Sequence, residues 1–181
     1  KSSSCLETIT LSEGIERIGH SAFEDCSNLK TVTLPSSLIS IGFYPFSGCS
    51  SLSGFYGNNK FHTDDNKCLL SYENVSHPGP WLVCFAGAGI TDYTIPDRIK
   101  AIENYAFNGL VDLKSVTIPG TIEVIGSAAF NNCINLEFVY GPNISDDHRA
   151  FVRNGEFVTL IARKNVSTTY HIPDNVTKIG Y

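Results

Sequence analysis

The sequence predicts a solenoid of mainly β structure, that is, a stack of similar coils. Two observations support this prediction. A pattern of apolar residues recurs with a period of 23 residues, and in most copies a short apolar–polar alternation is followed by proline. One coil of this length cannot bury its own apolar face, whereas stacked coils bury it against each other. The copying therefore meets a packing requirement before any functional one.

The repeat becomes clear when positions are counted from the leading residue of each copy. Four complete copies start at Leu6, Leu29, Ile90 and Leu113, and a fifth begins at Tyr170. Apolar residues recur at offsets of 3, 5, 9, 12, 17 and 20 residues in every complete copy. This regularity predicts coils at about 5–27, 28–52, 90–112, 113–136 and 167–181, and its period lies in the range of leucine-rich repeats.

Each coil contains one obvious strand. Apolar residues alternate with threonine or serine, as in Thr31-Val32-Thr33-Leu34, and a period of two residues is typical of a strand with one buried face. The proline that follows has no N–H to donate and ends the strand. We expect parallel strands at about 7–11, 30–34, 92–95, 115–118 and 169–172, a second short extended piece near 37–42, and one helical or 3₁₀ turn around each buried phenylalanine.

Two segments, at about 53–89 and 137–166, interrupt the period. They are related to each other, because Tyr56-Gly57 recurs 84 positions later as Tyr140-Gly141. In the second segment Asn154-Gly155 lies between apolar-rich arms, which is the sequence signal of a two-residue type I′ hairpin. We therefore expect a β-hairpin insert in each segment, within a duplicated unit of two coils and one insert.

The pattern LKTVTLPSSLISIGFYPFSGCSSL (29–52), with YTIPDRIKAIENYAF (93–107) resuming after the first insert, resembles the BspA-like leucine-rich repeat family. The resemblance covers almost the whole chain, and it departs from the family pattern at Leu110, where cysteine is usual, and in the absence of end caps. It implies a right-handed solenoid with a parallel sheet on its concave side. It also implies surface proteins of mucosal bacteria and anaerobic protists that adhere to host matrix proteins or to other cells.

Composition narrows the range of functions. With 42% hydrophobic residues and a formal net charge of −5, the chain can bury a core and has no basic face for nucleic acid or anionic lipid. Its longest uncharged run, near residues 78–91, is interrupted by proline and glycine and is shorter than the roughly 20 apolar residues of a membrane helix. The absence of methionine predicts a processed piece or an expressed fragment, folded as one domain over 1–181.

Cysteines are the first candidates for chemistry. Cys26, Cys49 and Cys133 occupy the repeat position that Leu110 fills in a sister coil, so we expect buried free thiols there. Cys68 and Cys84 lie in the two arms of the first insert, where a turn can bring them opposite each other. The sequence is compatible with a disulfide between them and equally with two free thiols, because sequence alone does not fix the connectivity of cysteines.

Acidic turns in the inserts are the second candidates for chemistry. They contain His62, Asp64, Asp65 and His77 in the first insert, and Asp146, Asp147 and His148 in the second. An acid–base or metal cluster is one interpretation. Solvated turn residues are the other, since aspartate side chains between strands commonly satisfy local N–H groups. No enzyme motif and no full ligand set accompanies them, so we expect no catalysis, no metal and no cofactor.

The outward positions of the predicted strands carry mainly hydroxyl groups. This hydroxyl stripe consists of Thr8, Thr10, Thr31, Thr33, Asp92, Thr94, Ser115, Thr117, Thr169 and His171. One explanation is strand propensity, because threonine is favoured on exposed strands. The other is a hydrogen-bonding platform for a partner, since concave solenoid faces are extended binding surfaces. Trp81, Tyr56 and Tyr140 are either core residues or aromatic anchors for such a partner.

Two functional hypotheses result. The first is a cell-surface or secreted recognition module that adheres to an extracellular matrix protein, a cell-surface protein or a glycan. The second is a structural spacer that displays another domain. Four N-glycosylation sequons, at Asn74, Asn143, Asn165 and Asn175, are acceptors only in a eukaryote that secretes the chain.

Overall fold

The computed structural model describes residues 5–57, 59–72, 79–161, 169–174 and 176–179. Within these residues the chain winds through successive coils of short strands and contains no helix. The strands are β1 (Thr8–Thr10), β2 (Arg17–Ile18), β3 (Thr31–Thr33), β4 (Ser40–Ile41), β5 (Gly54–Tyr56), β6 (Cys68–Ser71), β7 (Trp81–Phe85), β8 (Asp92–Thr94), β9 (Ala101–Ile102), β10 (Ser115–Thr117), β11 (Val124–Ile125), β12 (Phe138–Tyr140), β13 (Ala150–Arg153), β14 (Glu156–Leu160) and β15 (Lys178–Ile179).

The first face of the solenoid consists of two parallel sheets, β1-β3-β5 and β8-β10-β12. Neighbouring strands are in register one period apart, so that Val32 pairs with Ile9 and Val116 pairs with Tyr93. The middle residue of each strand points into the core, and Val32 and Val116 are fully buried. Four of the five predicted strands are therefore confirmed to within about one residue, which follows from the period-two alternation.

The fifth predicted strand, at 169–172, is wrong. These residues form no strand, and the later strand β15 pairs with β14 instead. The edge of β12 is already occupied, because the backbone N–H of Val139 donates to the carbonyl of His148 in the second insert (2.7 Å). The edge of β5 is occupied in the same way, by Asn66, but the segment after the first insert still forms β8 because it pairs with β10. Among the described residues after 172 no strand takes the place of β10, so 169–172 has no neighbour on either side.

Each sheet has a third strand that lies within a segment predicted as an insert. β5 and β12 lie in register beside β3 and β10, with Phe55 opposite Val32 and Val139 opposite Val116. The inserts therefore depart from the solenoid after Tyr56 and Tyr140, about one strand later than predicted. The signal was in the repeat, since Phe55 and Val139 follow their partner valines by one period of 23 residues.

The first insert forms an antiparallel pair of strands, β6 and β7, that lies between two parts of the solenoid core; we call this pair the wall. β7 also pairs parallel with β9 on the second face, which the two-residue strands β2, β4, β9 and β11 form. The residues of the pair enter two different cores. Leu69, Val83 and Cys84 pack with the coils before the insert, and Cys68, Leu70, Leu82 and Phe85 pack with the coils after it; the irregular pairing between Leu69 and Leu70 puts the adjacent Val83 and Cys84 in the same core. This two-sided burial explains why all five residues of β7 are apolar and buried.

The second insert contains a related antiparallel pair, β13 and β14. The two residues that connect them, Asn154 and Gly155, both have positive φ angles (50° and 75°), as a type I′ turn requires. β14 then pairs parallel with β15, as β7 does with β9.

The helical or 3₁₀ turns predicted around each phenylalanine are corrected by the structure to separate hydrogen-bonded turns. In the first coil the N–H of Glu24 donates to the carbonyl of Ser21, and the N–H of Cys26 donates to that of Phe23. Ser21 and Asp25 have φ angles of 50° and 58°, in the left-handed region, so a right-handed helical turn cannot continue through them. The phenylalanines still point inward and stack between coils, as Phe23 does on Phe46 at 5.2 Å.

Candidate binding surface

The first face brings most of the hydroxyl stripe together. Thr8 and Thr10 lie beside Thr31 and Thr33, and Asp92 and Thr94 lie beside Ser115 and Thr117, so eight residues form two groups of four on one side of the sheets. Their side chains are exposed or half-buried. Thr169 and His171 are exposed but lie outside any strand, so they do not extend these rows.

Aromatic side chains continue the rows on the third strand of each sheet. Tyr56 follows Thr10 and Thr33 in register, and Tyr140 follows Thr94 and Thr117. Both rings are about two-fifths exposed, at 42% and 41%, whereas Trp81 is buried in the wall. The core interpretation is therefore right for Trp81 and wrong for the two tyrosines.

The two aromatic ends differ in detail. In the first sheet the ring of Tyr56 lies over Gly54, where a Cβ atom would come within 2.8 Å of the tyrosine oxygen. In the second sheet Phe138 replaces this glycine, is 43% exposed, and lies 6.3 Å from the ring of Tyr140. Tyr140 also contacts His148, with ring centroids 5.0 Å apart. Each row of hydroxyl groups thus ends in an exposed apolar surface.

The acidic turns of the two inserts have the same internal hydrogen bonds. Residues 63–67 and 145–149 each begin with a buried hydroxyl residue, Thr63 or Ser145, which donates to the second aspartate of the turn. Each hydroxyl oxygen also accepts a backbone N–H five residues later, at 2.9 and 3.0 Å. The duplicated turns therefore close the exposed edges of β5 and β12 and are built as structural elements.

Asp65 connects the first acidic turn to the next coil. Its carboxylate accepts hydrogen bonds from Thr63, from the backbone N–H of Lys67 (3.0 Å) and from the hydroxyl of Tyr93 in β8 (2.8 Å). Partial burial disfavours the charged form, but these hydrogen bonds outweigh it and lower the pKa of Asp65. Burial also raises the pKa of the Tyr93 hydroxyl, which keeps it a donor.

Acidification is expected to weaken the fold through Asp65. A carboxyl group with a lowered pKa in the folded state contributes stability above its unfolded pKa of about 4, and that stability is lost as the pH falls through the folded pKa. Melting temperatures measured between neutral pH and about pH 3 should decline less steeply for Asp65→Asn than for the wild-type protein. Asp64→Asn is the control, because Asp64 is a neighbouring aspartate that is exposed like Asp65. Equal slopes for wild type and Asp65→Asn would contradict this role.

The remaining candidates of the acidic turns do not converge. The two ring nitrogens of His62 lie near the backbone carbonyls of Gly57 (2.7 Å) and Thr63 (2.9 Å), and Asp64 and Asp146 are exposed. In the part of the chain that the structure describes, no three His, Cys, Asp or Glu side chains are placed to hold a metal ion. His77 lies outside the described residues.

Cys68 and Cys84 are free thiols, and the disulfide between them is not formed. In the antiparallel pair Cys84 lies opposite Leu69, and Cys68 lies opposite Phe85. The two thiols therefore project from opposite faces of the wall, Cys68 into the later core and Cys84 into the earlier one. Cys26, Cys49 and Cys133 are buried and free, as the shared repeat position with Leu110 predicts.

Thiol labelling is expected to distinguish one cysteine from the other five. Burial raises the pKa of Cys49, Cys68 and Cys133 to about 12 each, and raises that of Cys84 well above the usual value. Their thiolate forms are therefore scarce between pH 7 and about pH 9, and labelling proceeds through thiolate. Native protein should react with one equivalent of an alkylating reagent, at the exposed Cys5, and with six equivalents after unfolding. Rapid native reaction at Cys49 or Cys133 would contradict the burial.

Of the four sequons, Asn74, Asn165 and Asn175 lie outside the described residues. Asn143 is half-buried, and its backbone carbonyl accepts the N–H of Val152 at 2.8 Å. Ser145, the hydroxyl residue of the same sequon, is the buried first residue of the second acidic turn. In the described ranges no helix is long and apolar enough to cross a membrane.

Comparisons with known proteins agree with the repeat architecture. The sequence profile of the BspA type leucine rich repeat region matches in six copies, over residues 1–78 and 83–181. No curated protein matches the chain. Among solved structures, a leucine rich cell surface protein from Faecalibacterium prausnitzii A2-165 is 22% identical with a TM-score of 0.57, and 75% of this chain covers 41% of that one.

The pneumococcal vaccine antigen PcpA is a second structural relative. It is 22% identical with a TM-score of 0.56, and 97% of this chain covers 47% of it. The chain thus spans less than half the length of either protein. At these identities the likeness concerns the fold.

Proposed function

The chain belongs to the BspA-type leucine-rich repeat family, and we propose that it is a non-enzymatic recognition segment of a cell-surface or secreted protein. Its partner is an extracellular matrix protein, a cell-surface protein or a glycan, bound on the strand face. We define the strand face as the outward side of β1-β3-β5 and β8-β10-β12. One observation carries the proposal: hydroxyl rows on this face end in the exposed rings of Tyr56, Phe138 and Tyr140.

The composition of the strand face supports recognition beyond what strand propensity requires. Propensity accounts for threonine and also favours tyrosine and phenylalanine in strands. It does not account for three rings that stay about two-fifths exposed at the ends of the rows, because each leaves apolar area in contact with water. Aromatic residues are enriched among the residues that contribute most to binding, and hydroxyl groups around them provide donors and acceptors. Two such arrangements, one in each half of the duplicated unit, give a repeated binding surface.

The neighbouring proteins support the proposed location. One of the structural relatives is a cell surface protein and another is a vaccine antigen.

The strand face is not expected to attract its partner through positive charge. The chain has a formal net charge of −5, and the stripe contains one carboxylate, that of Asp92. We therefore expect the affinity to depend only weakly on salt concentration, unlike that of a basic site.

The test is binding to immobilised matrix proteins and to a glycan array. We expect a variant with Thr31, Thr33, Ser115 and Thr117 replaced by lysine to bind about thirtyfold more weakly or worse. Each lost hydroxyl contact costs about 0.5–1.5 kcal/mol of binding free energy. The four lysine side chains also lose water when the partner covers them, which weakens binding further. The matched control places the same four charges at exposed positions outside the strand face, Ala22, Ser27, Ser50 and Ser127.

The outcomes separate the two functions. Retained binding by the control and loss by the strand-face variant, with melting temperatures preserved, supports recognition by the strand face. Equal binding by wild type and the strand-face variant would show that the partner binds outside the strand face. No binding to any partner by the wild type favours the alternative, a structural spacer that displays another domain.

A further inference from the structure

Four aromatic rings form a continuous ridge at the corner where the chain leaves the strands of the second face. This aromatic ridge consists of His20, Phe43, Tyr44 and Tyr105. Successive ring centroids are 5.1, 6.0 and 5.6 Å apart, and the contacts run from stacked through tilted to edge-on. Phe43 is 50% exposed and Tyr105 is 40% exposed, so the ridge is a surface feature distinct from the strand face.

The ridge exists because of the first insert. The β6–β7 pair replaces the corner of one coil, so the coil before it and the coil after it come into contact. The side-chain amide of Asn104 donates to the hydroxyl oxygen of Tyr44 (2.9 Å), and that of Asn108 donates to the hydroxyl of Ser47 (3.3 Å). Tyr44 and Tyr105, which are 61 residues apart in sequence, meet edge to face across this junction.

The backbone at both tyrosines is unfavourable for a large side chain. Tyr44 and Tyr105 have φ angles of 54° and 59°, in the left-handed region. The same corner position carries Ser21 and Ala128 in two other coils, also at positive φ, so the conformation belongs to the fold. Bulky residues rarely adopt it, and residues held in it cluster at functional sites. Two tyrosines at a corner where small residues suffice, Tyr105 exposed and Tyr44 half-buried, indicate a role outside folding.

The polar edges of the ridge are donors. The backbone N–H of Phe43 donates to Nδ1 of His20 (2.8 Å), which places the proton of the neutral imidazole on Nε2. Tyr44 already accepts from Asn104, so its O–H is available to donate. A row of rings edged by donors is complementary to a ligand with apolar rings and unpaired carbonyl acceptors. A proline-rich segment in the polyproline II conformation has both, because its backbone makes no internal hydrogen bonds.

We propose that the aromatic ridge binds a proline-rich peptide segment in the polyproline II conformation. Such a segment is already extended before it binds, so an exposed ridge can hold it with little loss of conformational entropy. A polysaccharide, whose rings can also lie on aromatic side chains, is the competing occupant that the experiment below tests. This site is separate from the strand face, and it can be present whether or not the strand face binds a partner.

The probe is a decaproline peptide, with a glycine–serine peptide of equal length as the reference. Wild-type protein should bind immobilised decaproline saturably and the reference peptide weakly. Tyr44→Ser and Tyr105→Ala, which introduce the residues that other coils carry at this corner, should each bind decaproline about tenfold more weakly. Their melting temperatures should stay within about 4 °C of wild type, because relief of the left-handed strain offsets the lost ring contact.

Tyr72→Ser is the matched control. Tyr72 is also an exposed tyrosine with an edge-on aromatic neighbour, Phe61, but it lies in the first insert. Phe43→Ser is a further ridge variant that leaves both strained positions unchanged. Normal decaproline binding by Tyr72→Ser with loss in the ridge variants supports the proposal. No saturable binding by wild type, equal binding by wild type and Tyr105→Ala, or ridge-dependent binding of an oligosaccharide in place of decaproline overturns it.

Discussion

Gly141→Ala is expected to lower the free energy of unfolding by about 4 kcal/mol. Gly141 follows β12 with a φ angle of 143°, a conformation that is nearly restricted to glycine, at a cost of about 1–3 kcal/mol for other residues. An added Cβ would also collide with the carbonyl oxygen of Ile118 in the neighbouring coil. Ile118 is held in place because its backbone N–H donates to the carbonyl of Tyr140 at 2.7 Å. The collision therefore adds an overpacking cost of about 1–3 kcal/mol to the free energy.

The matched control for this prediction is Gly109→Ala. Gly109 also has a positive φ angle, 80°, but a Cβ there meets no atom within 4 Å, so only the backbone cost of about 1–2 kcal/mol applies. Urea unfolding of both variants separates the two contributions. Equal losses would show that the contact with Ile118 contributes nothing. Gly57, which has the same role after β5 and faces the carbonyl of Leu34, should respond as Gly141 does.

Phe107→Ala is expected to cost about 3–5 kcal/mol, the usual range for deletion of a buried phenylalanine ring. Phe107 is fully buried between Phe85 of the wall, at 4.8 Å between centroids, and Phe130 of the next coil, at 4.6 Å. Its loss opens a cavity where the first insert joins the later coils. The melting temperature should fall by about 10 °C.

Phe43→Ala is the control for Phe107→Ala, because Phe43 is half exposed and its removal leaves no internal cavity. Thermal unfolding of both variants should show a small change for Phe43→Ala and a large one for Phe107→Ala. A loss below about 1 kcal/mol at Phe107 would mean that the wall and the later coils do not depend on each other.

The coil pattern was predictable because it depends on burial. Val32 and Val116 occupy equivalent repeat positions, and each position selects an apolar residue for the same reason, contact with the next coil. The strand at 169–172 could not be rejected in the same way. Its residues keep the pattern, but a strand needs a paired neighbour. The edge of β12 is taken by His148, and the described residues after 172 supply no strand that pairs with it as β10 pairs with β8.

The cysteine pair and the aromatic ridge show why the sequence does not predict contacts made across the inserts. Sequence places Cys68 and Cys84 in adjacent arms, but only the register, with Cys84 opposite Leu69, decides which face each thiol occupies. Tyr44 and Tyr105 become neighbours because an insert removes the corner between them, and no periodicity encodes that contact. The exposed tyrosines of the strand face were open to prediction, since Tyr56 lies one period after Thr33.

Recognition through the strand face is tested most directly by hydroxyl-radical oxidation of its aromatic rings in the free protein and in its complex. The partner is the matrix protein or glycan that captures the wild type. Oxidation of Tyr56, Phe138 and Tyr140 should fall severalfold in the complex, because their exposed edges become covered. Tyr72, exposed on the first insert, should react equally in both states. Unchanged oxidation of all three strand-face rings in a saturated complex would contradict the account.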